Sequence, residues 1–186
     1  MRKIIKALFF VLIISVIFGT VYVAIQQVLR MDANDPQIQM AEDAAMELSK
    51  GSDPASFMPL DRSTFDMSQR LAPFVMIFDE QGTLLESSAR LHDSLAVPPI
   101  GTFEYARVHG EDRFTWQPEN GVRNATILRH FAGSHSGFVL VGRSLREVET
   151  REHTLFMLVA FGWLASVVLS FGFILWYNKN TQTTQL

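Results

Sequence analysis

The chain contains two long apolar stretches without a charged residue, Ala7–Leu29 and Thr154–Tyr177. They comprise 23 and 24 residues. At a helical rise of about 1.5 Å per residue, each is long enough to cross a hydrocarbon core of about 30 Å. The pattern therefore predicts two transmembrane helices, which leave an N-terminal segment (residues 1–6), a central segment (residues 30–153) and a C-terminal tail (residues 178–186).

The central segment opens with the signals of an α-helix. Asp35 can cap the helix and Pro36 suits the first helical position. Gln37–Lys50 then contains only helix-compatible residues before Gly51. Apolar residues recur there at spacings of three and four, at Ile38, Ala41, Ala45 and Leu48. The pattern predicts a helix that packs one face inward.

Strand patterns follow this helix, after a stretch at Asp61–Leu71 that is expected to form a second short helix. Pro73–Asp79 is an unbroken β-forming run, as in a strand covered on both faces. A turn with Gly82 leads back into Thr83–Ser88, the expected hairpin partner. Three or four further strands are predicted, at Thr102–Val108, Arg113–Gln117, Arg123–Phe131 and Gly137–Arg143. The predicted fold class is α+β, an antiparallel sheet with an N-terminal helix across one face, flanked by two transmembrane helices.

A helix is predicted to continue from the last strand into the second span, because no Gly or Pro interrupts Ser144–Phe161. Leu145, Val148 and Leu155 fall at a heptad-like spacing along it. Such a helix would either convert a change in the central segment into a movement of the span or act as a rigid stalk. The sequence leaves both interpretations open.

Basic residues next to the first span predict the orientation in the membrane. Arg2, Lys3 and Lys6 precede it, and short flanks rich in Lys and Arg stay in the cytoplasm. Both termini are therefore expected in the cytoplasm and residues 30–153 outside. The alternative is a cleaved signal peptide, whose apolar region is usually about 7 to 15 residues and ends in an A-x-A pattern. The longer run here, closing with Val23–Gln27, favours a retained anchor.

Charge and composition narrow the classes of function. All 19 acidic residues and 12 of the 16 basic residues lie in residues 30–153, which gives that segment a formal net charge of −7. An acidic domain outside the membrane argues against a nucleic-acid partner. The chain has no cysteine, so disulfides and thiolate metal sites are excluded. No cofactor is expected.

Motifs for catalysis or metal binding are not recognisable in the sequence. The five histidines lack the spacing of an HExxH site, and surface histidines are the simpler interpretation. Gly133–Gly137 reads G-S-H-S-G and lacks the central serine of a nucleophile elbow. We therefore expect no enzyme and no metal site, with an extracytoplasmic hydrolase as the weakest alternative.

Three stretches between the spans resemble the extracytoplasmic sensor region of bacterial membrane histidine kinases, whose domains are PAS-like or Cache-like. They are Asn34–Ala45 (NDPQIQMAEDAA), Ala72–Ser88 (APFVMIFDEQGTLLESS) and Gly137–Glu152 (GFVLVGRSLREVETRE). The resemblance covers most of residues 31–155 in layout. It implies a PAS/Cache-like fold, signal input of the two-component type and a location in the bacterial inner membrane, but no catalytic or ligand-binding residue. Because no HAMP linker or kinase domain follows Tyr177, kinase activity is not expected.

A polar and aromatic set on the later predicted strands is the candidate ligand site. It consists of Tyr105, Arg107, Arg113, Trp116, Arg129 and His130. With a period of two, Tyr105 and Arg107 would share a strand face, and Arg129 could join them from a neighbouring strand. Two converging guanidiniums would suit a small anionic ligand with a carboxylate or phosphate group. The alternative is a solvated set, or one paired with nearby acidic residues.

Small residues recur every four positions on each predicted span. They are Gly162, Ser166 and Ser170 on the second span and Ser15 and Gly19 on the first. Such spacing permits close approach of helix backbones in a bilayer, so these residues are predicted to mediate helix packing.

These features together predict a two-pass inner-membrane protein with an extracytoplasmic sensor-like domain. It is expected to sit in the lipid bilayer and to act as a signal-input or accessory module through a membrane protein partner or as a homodimer. The alternative is a structural membrane subunit whose external domain binds another protein.

Overall fold

The structure is a computed structural model of the chain. It describes the backbone of residues 2–32, 35–61 and 63–183 and the side chains of residues 8–28, 36–61 and 63–176. The side chains of the predicted cap Asp35 and of the basic residues Arg2, Lys3, Lys6 and Lys179 lie outside these ranges. The chain divides into a helical unit, Met1–Arg30 with Thr150–Leu186, and an α+β unit, Met31–Glu149.

The described residues form four α-helices, seven strands and a short 3-10 helix. The helices are α1 (Arg2–Asp32), α2 (Asp35–Ser49), α3 (Ile100–His109) and α4 (Arg146–Thr183), and the 3-10 helix is Pro54–Phe57. The strands are β1 (Phe65–Asp66), β2 (Phe74–Asp79), β3 (Leu84–Ser87), β4 (Ala89–Arg90), β5 (Glu111–Glu119), β6 (Val122–Phe131) and β7 (Gly137–Ser144).

Two apolar helices flank the α+β unit in the chain, as predicted. The candidate membrane spans are Leu8–Val28 in α1 and Arg146–Trp176 in α4, and both helices are long and apolar enough to cross a membrane. Each helix extends beyond the predicted span at both ends. They are the two candidate membrane-spanning helices of the described chain.

An antiparallel sheet of five strands is the centre of the α+β unit, with the order β3-β2-β7-β6-β5. The predicted hairpin of β2 and β3 is confirmed, and Gly82 in its turn has the positive φ of 80° that glycine adopts without strain. The three predicted strands after residue 110 are also confirmed, and each is longer than expected, β5 at both ends. The central strand, β7, pairs with β2 on one side and β6 on the other.

Helix α2 covers one face of the sheet, as its apolar spacing predicted. Ala41 is fully buried and Leu48 is 1% exposed. They pack with Ile127 of β6 and with Val139 and Val141 of β7 in one hydrophobic cluster. The helix ends before Gly51, whose φ of 100° reverses the chain there.

The predicted strand at Thr102–Val108 is wrong, because these residues belong to helix α3. Pro99 precedes the helix, and the Gly110 N–H closes it with a hydrogen bond of 2.8 Å to the Ala106 carbonyl. Phe103 and Ala106, three residues apart, are both buried against the second face of the sheet. Packing of that helical face outweighs the β-forming character of the Thr, Phe, Tyr and Val side chains.

Aromatic side chains fill the space between α3 and the sheet. The ring of Phe103 meets those of Phe78 and Phe138 edge to face, at centroid distances of 5.0 and 5.2 Å. Trp116 of β5 lies 6.3 Å from the ring of Phe74, and both are buried. This cluster is the second hydrophobic core of the unit.

The predicted helix at Asp61–Leu71 is also wrong. The carboxylates of Asp61 and Asp66 each accept a hydrogen bond from the backbone N–H two residues further on, at 3.1 and 2.8 Å. Such local bonds compete with helix formation. Phe65 and Asp66 instead form β1, which pairs in parallel with β4.

Candidate functional site

The residues predicted to form a ligand site do not come together as one group. Tyr105 and Arg107 lie on helix α3 rather than on a strand. Trp116 is 5% exposed and belongs to the core beneath α3. Arg129 and His130 are neighbours on β6, so their side chains point to opposite faces of the sheet. The predicted convergence of Arg107 and Arg129 is therefore not formed.

Arg107 and His130 instead meet at Glu80, in the turn between β2 and β3. Arg107 Nε donates to Glu80 Oε1 at 3.1 Å, and His130 Nε2 lies 3.1 Å from Glu80 Oε2. The Arg107 guanidinium also lies 5.1 Å from the ring centre of Phe138. Burial by itself would raise the pKa of Glu80, but the hydrogen bonds from Arg107 and His130 outweigh it and lower that pKa. The three side chains fasten the hairpin turn to α3 and β6.

Arg129 and Arg113 form a second charged group, on the α2 side of the sheet and its edge. Arg129 Nη1 lies 3.0 Å from a Glu42 oxygen on α2 and 2.8 Å from a Glu111 oxygen on β5. Glu111 also pairs with Arg113. These arginines are thus neutralised within the fold, which matches the alternative that the sequence left open for them.

A polar pocket of about 410 Å³ lies at the short parallel pair β1 and β4. Its lining comprises Thr64, Phe65, Asp66, Gln69, Arg70, Arg90, His92 and Asp93. The sequence did not indicate it, because the residues come from a loop predicted to be helical and from a turn after β4. The sequence signal that could have identified this loop is the pair Asp61 and Asp66, whose carboxylates accept from the backbone two residues further on.

His92 has an unusual backbone in this pocket. Its φ of 52° is the one positive φ of a non-glycine residue in the described chain. A tight turn produces it, since Leu91 and Ser94 exchange backbone hydrogen bonds of 2.9 and 3.0 Å. Such a conformation is sparsely populated and costs on the order of 1 kcal/mol or more, so the surrounding contacts must hold it.

Two carboxylates hold the His92 ring. Its Nε2 lies 2.7 Å from Glu119 Oε2 and its Nδ1 lies 3.5 Å from Asp66 Oδ2. The hydrogen bond to Glu119 raises the pKa of His92, with the charge of Asp66 contributing less. Because the pKa of His92 is raised in the folded state, its ion pair with Glu119 stabilises the fold fully at pH values below the ordinary pKa of histidine. This stabilisation is lost as the pH rises through the raised pKa. His92 therefore carries positive charge over a wider pH range than a free imidazole.

Metal binding has no suitable side-chain group in the part of the chain that the structure describes. No three His, Asp or Glu side chains of these residues are arranged so that they could hold a metal ion. The chemistry available in the pocket is instead that of hydrogen-bond donors and opposite charges, from Arg70, Arg90, His92 and the two aspartates.

The junction between β7 and α4 is held by contacts within the α+β unit. Leu145 is the single residue between the strand and the helix, and its N–H donates to the Arg123 carbonyl at 2.8 Å. Arg146 Nη2 donates to the Ser68 carbonyl at 2.7 Å. Arg123 and Glu149 form an ion pair at 2.5 Å. Of the predicted coupling residues, Leu145 and Val148 are half-buried here, while Leu155 belongs to the helical unit.

Within the helical unit, some of the small residues predicted to mediate helix packing lie at the contact between α1 and α4. A Cβ on Gly162 would lie 2.8 Å from Phe18 Cε1, so glycine permits this approach. Trp163 Nε1 donates to Ser15 Oγ at 2.9 Å. The hydroxyls of Ser166 and Ser170 bond carbonyls of their own helix, one turn back. Gly19 is different, because a Cβ there would contact nothing within 4 Å.

No family model, no curated protein and no solved structure matches the chain. Fold, charge and contacts are therefore the basis for a functional conclusion.

Proposed function

We propose that the protein is a membrane-anchored signal-input module of the bacterial inner membrane. Residues 30–153 serve as an extracytoplasmic PAS/Cache-like domain, and α1 and α4 cross the bilayer with both termini in the cytoplasm. A change in the domain acts through α4 on a membrane protein partner. The domain has a receptor role and no catalytic role in this proposal.

The observation that carries the proposal is the junction of β7 and α4. The central strand of the sheet passes into α4 after a single residue, and α4 is one unbroken helix from Arg146 to Thr183. In the first turn of α4, Glu149 forms an ion pair with Arg123 of β6. Arg146 of the same turn donates to the carbonyl of Ser68, which lies in the loop that lines the polar pocket (the pocket loop). A shift of these elements therefore acts on the helix without a flexible linker in between.

Two further features support the proposal. The contact of Trp163 with Ser15 gives α1 a structural partner in α4, which favours a retained anchor over a cleaved signal peptide. The antiparallel sheet with α2 across one face is the layout that the PAS/Cache resemblance implies.

Photo-cross-linking from α4 tests the partner directly. Phe161, Leu164 and Val168 are exposed and share the face of α4 opposite its contact with α1. A photoreactive amino acid at these positions, in native membranes, is expected to trap one distinct protein. This face is the expected contact because α1 occupies the other.

The matched control positions are Val159 and Ser166, which are half-buried toward α1. The same photoreactive residue there should give products within the chain. Recovery of only the monomer or its own dimer from Phe161, Leu164 and Val168 would contradict action through a separate membrane partner.

The second candidate function is a structural subunit whose α+β domain binds another protein. It is favoured by the filled core beneath α3 and by apolar side chains on the outside of that helix, where Ile100 and Val108 are 67% and 77% exposed. A photoreactive residue at Val108 distinguishes the two candidates. A partner trapped from Val108 and not from α4 would favour the structural subunit.

A further inference from the structure

Two arginines in the polar pocket differ from five other described arginines of the α+β unit. Five arginines each have a glutamate within ion-pair distance: Arg107, Arg113, Arg123, Arg129 and Arg143. Arg70 and Arg90 have no acidic partner among the described residues, although the segment carries an excess of acidic side chains. Arg70 lies 6.0 Å from the ring centre of Phe65. Both arginines line the same pocket.

The carboxylates of the pocket do not neutralise these two arginines. Asp66 Oδ1 accepts from the Ser68 N–H at 2.8 Å, and its Oδ2 lies 3.4 Å from Gln69 Nε2 and 3.5 Å from His92 Nδ1. Asp66 is thus occupied in holding the loop and the His92 ring. Asp93 is then the one remaining carboxylate of the pocket lining. It stands against the guanidiniums of Arg70 and Arg90 and against His92, whose raised pKa favours its positive form.

The backbone around the pocket is preorganised. Strands β1 and β4 pair with Asp66 beside Arg90, and the Met67 N–H donates to the Arg90 carbonyl at 2.9 Å. On the other side, Glu119 and Asp66 hold His92 in its strained turn. A site whose frame is fixed in this way binds a ligand with a smaller loss of conformational entropy.

We propose that this pocket binds a small oxyanion, a carboxylate or phosphate group, between the guanidiniums of Arg70 and Arg90. A guanidinium presents parallel N–H donors that match two oxygens of such a group. The volume of about 410 Å³ is in the range of small-molecule sites. His92 contributes positive charge at the rim rather than a free donor, because both of its ring nitrogens face carboxylates.

The pocket loop is bonded directly to α4, which connects the site to the proposed function. Ser68, between Asp66 and Gln69 of the lining, is the residue whose carbonyl accepts from Arg146. A ligand that draws Gln69 and Arg70 inward displaces this carbonyl and acts on the first turn of α4. This step rests on the proposed signal-input function, whereas binding of the oxyanion does not.

Isothermal titration of the full chain in nanodiscs tests the site, with inorganic phosphate and acetate as probes against a chloride background of constant ionic strength. Saturable binding at one site per chain is expected. Arg70→Gln or Arg90→Gln should each weaken it by about tenfold or more, since a hydrogen bond to a charged group is lost. Binding of phosphate alone assigns a phosphate group, and binding of acetate alone assigns a carboxylate.

Arg113→Gln is the matched control, because Arg113 is an exposed arginine on β5 that is paired with Glu111. It should bind the probe like the unchanged chain. Absence of binding for both probes would overturn the site. Binding by the Arg70→Gln and Arg90→Gln variants that is as tight as binding by the unchanged chain would also overturn it. If cross-linking from α4 traps a partner but the titration shows no oxyanion binding, this inference is overturned and the proposed function still stands.

Discussion

Replacing Phe103 with alanine is expected to lower the free energy of unfolding of the α+β unit by about 3 to 5 kcal/mol. Phe103 is 2% exposed, and its ring lies between those of Phe78 and Phe138. It also covers Gly82 in the β2–β3 turn, at 3.7 Å from the position of a Cβ there. Removal of the ring therefore leaves a cavity at the point where α3 docks on the sheet.

Tyr105→Ala is the matched control, because Tyr105 is half exposed on the same helix. It should change the free energy of unfolding by less than about 1 kcal/mol. The comparison also tests the helix itself, since residues 103 and 105 would share one face of a strand. Pulse proteolysis of the full chain in increasing urea measures both values, and equal losses for the two variants would contradict the helical assignment.

Gly162→Leu is expected to separate α1 from α4. Even a Cβ at this position would lie 2.8 Å from Phe18 Cε1, and a leucine side chain is much larger. No hydrophobic force restores the contact in a bilayer, where close packing and the Trp163 to Ser15 hydrogen bond hold the helices together. Cysteines at Tyr22 and Phe156, whose rings are 6.0 Å apart, report the pairing through a short bis-maleimide.

Gly172→Leu on the same helix is the control, because a Cβ there would meet nothing within 4 Å. This variant should cross-link as efficiently as the unchanged chain. Retained cross-linking in Gly162→Leu would show that the helices do not depend on close approach at this glycine.

The sequence predicted those elements whose signals are local. Helix α2 had a candidate cap residue, a proline and an apolar spacing of three and four, and β2 was an unbroken β-forming run. Helix α3 was predicted wrongly because its composition favours a strand. Its bounds in the structure are Pro99 before it and Gly110 after it, two residue types that often flank helices.

The ion-paired arginines and the polar pocket depend on tertiary contacts, which the spacing of residues along the sequence does not reveal. The partners of Arg107 and Arg129 come from other elements, Glu80 in a turn and Glu42 on α2. The polar pocket combines a loop held by the Asp66 turn with a second turn at His92, 26 residues further along the chain. Only the fold brings such residues together.

Labelling of single cysteines tests the membrane arrangement on which the proposed function depends. The chain has no cysteine, so Asn120→Cys in the exposed β5–β6 turn and Thr183→Cys at the end of α4 provide unique reporters. In intact spheroplasts, a membrane-impermeant maleimide is expected to label position 120 and to leave position 183 unlabelled until the membrane is opened. Labelling of position 183 alone would contradict an extracytoplasmic domain carried between two membrane spans.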